Sequence, residues 1–65
     1  MGLTWDRYRA ALAKLSEHKQ EAVVLRVEWE FTYEQIASTV GFPTANAARM
    51  CVTRAIAELA EAMNV

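Results

Sequence analysis

Apolar side chains recur along this chain at helical rather than strand spacing. Trp5, Tyr8, Leu12 and Leu15 follow one another at helical intervals and predict an amphipathic helix over about residues 4–14. Thr4 is placed to serve as its N-cap, although Arg7, three positions on, is no capping-box partner. The block Ala22 to Leu25, extended by Val27, predicts a second helix over about residues 17–28. Ser16 is its expected N-cap, and Glu17 places a negative charge in the first turn, where it suits the helix dipole. "TYEQ" reads as a capping box, with Thr32 at the cap and Gln35 as the reciprocal partner. It opens a short third helix over about 33–40, with Ile36, Ala37 and Val40 pointing inward. Gly41 supplies a left-handed stop, and Pro43 cannot continue a helix. Thr44 then caps a fourth helix over about 45–63. Its inward stripe is Ala48, Val52, Ala55, Leu59 and Met63, flanked by Cys51, Ile56 and Ala62. The opposite face carries Asn46, Arg49, Thr53, Ala57 and Ala60.

Four helices with short connections, two of them joined by a tight turn, predict an all-α fold. It is a compact four-helix domain containing a helix-turn-helix. With 65 residues the chain is one small domain, and its 54% apolar content and two glycines separate it from disordered tails. "MG" stands ahead of the pattern, which begins at "LTWDRY". No apolar run approaches the roughly 20 residues that span a bilayer, so no membrane association is expected. Cys51 is the only cysteine, which leaves no intrachain disulfide and no thiol cluster for zinc and fits a reducing, cytoplasmic setting. His18 sits among polar residues without a second His or Cys at ligand spacing, so no metal is expected. No Ser-His-Asp, paired-carboxylate or Gly-rich phosphate pattern stands out. An enzyme is therefore not expected, nor is a cofactor.

Trp5 and Trp29 are expected in the core or as staples at helix edges, as indoles in such positions usually are. Tyr33 is expected to pack its ring on a neighbouring helix. Arg26 is expected to pair with Glu34 or Glu30, and Arg54 to pack its stem while its head meets a carboxylate or a phosphate.

From Leu15 to Leu59 the chain resembles region 4 of bacterial sigma factors of the sigma-70 superfamily, above all the extracytoplasmic-function type. The residues that carry the likeness are Leu15, Val23-Val24-Leu25-Arg26, Thr32-Tyr33-Glu34-Gln35-Ile36-Ala37, Gly41, Arg54-Ala55 and Leu59. They keep the family's order and spacing, with one extra residue in the turn near Pro43. The chain departs from the family at three places. Ser16 replaces a proline, Glu30 stands where a glycine usually ends the second helix, and Cys51 replaces a residue that is often basic. A left-handed Glu30 costs about 1 kcal/mol, unless the loop closes differently.

The resemblance implies a domain that reads the upstream element of promoter DNA with its fourth helix in the major groove. By carry-over, Thr44, Asn46, Arg49, Met50 and Thr53 are the candidate DNA contacts. Arg49 suits guanine or phosphate, and Asn46 suits adenine. Thr32 can meet a phosphate at the start of the third helix, and Arg26 and Arg54 are candidate phosphate contacts. The family's partners are the RNA polymerase core, through the flap of its β subunit, and in some cases an anti-sigma factor. A separate region 2 reads the second promoter element, so the resemblance also implies that this chain is one domain of a longer sigma factor.

Charge shapes this expectation. Seven Lys and Arg stand against eight Asp and Glu, for a net charge of −1. Such a domain meets few phosphates and should bind duplex weakly when alone. Tethering to polymerase removes the need for a strong solitary grip. Two rival expectations share the fold. One is a protein-interaction module held by an anti-sigma factor or activator. The other is the DNA-binding output domain of a response-regulator-type factor, which normally lacks the "LR…TYEQIA" combination.

Overall fold

One long helix organises the molecule. The computed structural model describes residues 3–64, with side chains from residue 5 onward. Its elements are α1 (Leu3–Leu12), α2 (Glu17–Val27), α3 (Tyr33–Ile36), a π-helical turn (Ala37–Gly41) and α4 (Ala45–Met63). Among the described residues there is no strand. The structure is thus an all-helical four-helix domain in which α3, its π turn and α4 form the helix-turn-helix. At 1.5 Å per residue, α4 runs about 28 Å and packs against every other helix.

Alanines make that close packing possible. Ala48 and Ala55 are fully buried on α4, where a larger side chain would hold the neighbouring backbone away. The core has two parts. In one, Ala11, Leu15, Val23, Ala55 and Leu59 join α1 and α2 to the C-terminal half of α4. In the other, Ala22, Ile36, Ala37, Ala48 and Val52 join α2 and α3 to its N-terminal half. Adjacent residues of α2, Ala22 and Val23, face one part each. Ile36, Val23 and Val52 are the largest fully buried side chains, each contributing about 1.5–3 kcal/mol by leaving water. Among the described residues no polar or charged side chain is buried.

Three of the four expected caps form. Ser16 Oγ accepts the Lys19 N–H at 3.4 Å, and Thr44 Oγ1 accepts the Ala47 N–H at 3.0 Å. Thr32 and Gln35 make the full reciprocal box, at 3.1 and 2.8 Å. Thr4 does not cap α1, because the helix already includes Leu3 and Thr4; the Thr4 side chain lies outside the described residues.

The connections on either side of α3 each use a residue with positive φ. After α2, Glu30 takes φ 57° and turns the chain so that the Phe31 N–H reaches the Leu25 carbonyl at 3.0 Å. The loop therefore closes through the left-handed conformation despite lacking glycine. After α3 the helix widens, and the Phe42 N–H bonds the Ala37 carbonyl five residues back at 2.9 Å. The third helix is thus α-helical only as far as Ile36, and its predicted second half is the π turn. Such a turn takes in one residue more than an α turn. Gly41 ends it at φ 104°, a conformation that L side chains rarely adopt.

Two expected interior positions are corrected. Trp5 is 51% exposed and Trp29 66% exposed, so neither indole belongs to the core. Trp5 instead stacks on Tyr8 with ring centroids 5.1 Å apart, under the Arg9 guanidinium. Val27 and Ile56 are also exposed. The buried residue that α1 contributes to the core is Ala11.

Candidate nucleic-acid interface

The outward face of α4 begins at its cap and runs through Asn46, Arg49, Met50 and Thr53, all of them exposed. Its shape follows from the inward commitment of Ala48, Val52 and Ala55, which turns the intervening residues to solvent. Four of the five expected contact residues of this helix are linked to one another. Arg49 donates to Asn46 Oδ1 twice, from Nε at 3.2 Å and from Nη2 at 2.8 Å. The other end of the same amide, Asn46 Nδ2, lies 3.8 Å from Met50 Sδ as a weak donor. Thr53 Oγ1 donates to the Arg49 carbonyl at 2.8 Å, one turn back. Thr44 belongs to the face through its backbone position, while its hydroxyl oxygen caps the helix.

Thr32 stands apart on α3. Its hydroxyl oxygen is occupied as an acceptor in the capping box, and its own N–H bonds Gln35 Oε1. With Phe31, Glu34, Gln35, Ser38 and Thr39 it lines a shallow depression beside the π turn.

Arg26 is placed differently from its expected ion pair. Its Nη1 donates to the Phe31 carbonyl at 2.9 Å, and its guanidinium lies over the Tyr33 ring, 4.4 Å from the centroid. The residue clamps the α2–α3 loop that Glu30 turns. A group committed in this way is a structural clamp before it is a phosphate contact. Tyr33 does pack, but on this guanidinium and the N-terminal part of the core. Arg54 lies exposed beside α4's outward face, in a depression shared with Lys19, Phe42, Ala47, Met50 and Cys51. No carboxylate pairs with it among the described residues.

Two features of the site escape a residue-by-residue sequence reading. Lys19 of α2 reaches the same depression and pairs with Glu58 of α4, the ion pair seen among the described residues. Long-range pairs of this kind have no signal in spacing. The second feature was available from the sequence: from Thr39 to Ala57 the chain carries Arg49 and Arg54 and no Asp or Glu. The acidic residues that give the net negative charge lie elsewhere, on α1, α2, the α2–α3 connection, α3 and the end of α4. The outward face of α4 is therefore locally cationic on an acidic molecule.

Compared with known proteins, the chain matches no family model, no curated protein and no solved structure. No helix among the described residues is long and apolar enough to cross a membrane.

Proposed function

We infer that this chain is a DNA-reading domain of the sigma-factor region 4 type, recognising the upstream element of promoter DNA and docking on the β flap of RNA polymerase. The observation that carries the reading is the exposed, acid-free N-terminal half of α4, set out from the domain by a helix-turn-helix. A helix presented this way fits the major groove, with Arg49 at a position that reaches base edges. The resemblance from Leu15 to Leu59 supplies the promoter and the polymerase. The π turn supports it in one respect: it lies next to the place where the chain carries one residue more than the family pattern. In this reading the domain performs no chemistry, acts in the cytoplasm and is one part of a longer sigma factor.

The exposed Trp5 and Trp29 favour a second reading, a protein-interaction module held by an anti-sigma factor or an activator. Both indoles stand on α1 and the end of α2, apart from the outward face of α4, and large aromatics are favoured at interfaces.

Selection from a random duplex library, with the domain alone and tethered to polymerase, separates the two. The DNA reading expects a selected sequence, and Arg49→Ala should lower its preference by about ten- to a hundredfold at one base position. Unchanged selectivity in Arg49→Ala would remove Arg49 from the interface. No selected duplex in either format would leave the interaction module as the better account.

A further inference from the structure

Asn46 and Arg49 were expected to act as separate readers, one for adenine and one for guanine, but their side chains form a single unit. Both bonds from Arg49 converge on Asn46 Oδ1. Arginine has only donors, so the amide must turn its oxygen toward it, and this sends Asn46 Nδ2 to Met50 Sδ. The geometry points to Asn46 as a positioning residue that holds the Arg49 guanidinium by its Nε–Nη2 edge and leaves the Nη1–Nη2 fork to read guanine. This rests on the DNA reading proposed above.

The donor arithmetic supports it. A guanidinium carries five N–H groups in a planar fork, and Asn46 takes one from Nε and one from Nη2. Two remain on Nη1 and one on Nη2, enough for the two parallel bonds that guanine O6 and N7 accept. The same contact removes Asn46 as an adenine reader. A bidentate pair with adenine needs the amide oxygen as acceptor for the N6 amino group, and here that oxygen already accepts two bonds. Asn46 sits three residues before Arg49 on one face of α4, so the helix itself sets the separation. Holding the fork in advance leaves less side-chain freedom to lose on meeting DNA.

The test uses the wild-type chain, Asn46→Ala and Asn46→Asp, with Arg49→Ala marking the base position that Arg49 reads. Asn46 is exposed, so the variants should fold, which circular dichroism checks. In duplex selection, Asn46→Ala should lower the guanine preference at that one position by about five- to tenfold and leave the other positions unchanged. Asn46→Asp keeps an acceptor for the guanidinium. It should keep the guanine preference while weakening binding to all duplexes, since it adds a negative charge near phosphates. Nitrogen relaxation of the Arg49 Nε–H, without DNA, should show an ordered group in the wild type and a mobile one in Asn46→Ala.

Equal mobility in both proteins overturns the positioning role. So does loss of an adenine preference at a different position in Asn46→Ala, which would make Asn46 a reader itself. Failure of the wild type to select any duplex is a distinct outcome: it overturns the DNA reading, and the positioning role falls with it.

Discussion

Tyr8 joins the first helix to the end of the second through one hydrogen bond, from its hydroxyl to Glu28 Oε2 at 2.8 Å. Burial pushes its phenol up to about 12, and the Glu28 carboxylate adds to this by accepting the hydroxyl proton and repelling the phenolate. The folded chain thus holds this proton more tightly than the unfolded chain, whose tyrosine titrates near 10. The stabilisation is complete below pH 10 and is lost as the pH rises from 10 to about 12. Urea midpoints measured across that window should fall more steeply for the wild type than for Tyr8→Phe. Parallel curves would show that Tyr8 keeps its proton no more tightly when folded than when unfolded.

How elements are joined decides more here than how each is built. The α2–α3 connection turns through Glu30 at φ 57°, where a side chain carries a steric cost of about 1 kcal/mol. Glycine relieves that cost but brings more freedom to the unfolded chain. Glu30→Gly should therefore stabilise the domain by no more than about 0.5 kcal/mol and raise the thermal midpoint by a few degrees at most. A lower midpoint would mean that the Glu30 side chain contributes something its exposure does not suggest. The helices themselves were largely legible in the sequence. Thr32, Thr44 and Gly41 mark ends through backbone chemistry that acts locally, and α4 spans the predicted residues 45–63. The π turn was not legible, because apolar spacing does not separate an α turn from a wider one over so few residues. Nor was the exposure of Trp5, Val27 and Trp29. Periodicity assigns a residue to a face, but the presence of a neighbour on that face depends on where distant helices come to lie. The candidate site divides in the same way. Its outward residues follow from the α4 stripe, whereas the Asn46–Arg49 contact depends on side-chain conformations.

For the whole molecule, what matters is where the charges stand. Arg26 is committed to a loop and Lys19 to Glu58, which leaves Arg49 and Arg54 as the cations of the outward α4 face. One or two phosphate contacts give a salt slope no steeper than about −2, so duplex affinity should fall only roughly tenfold between 50 and 200 mM salt. Titration of fluorescent duplex over that range measures it, and a thousandfold loss would require cations from another part of the chain. The aliphatic core has a different consequence. Among the described residues nothing polar is buried, and on the outward face of α4 only Thr44 has a hydroxyl committed to ending a helix. Asn46, Arg49, Met50 and Thr53 can then be exchanged at little expense to folding. A lineage, or a designer, can rewrite the lettering on this surface while leaving the scaffold beneath it alone.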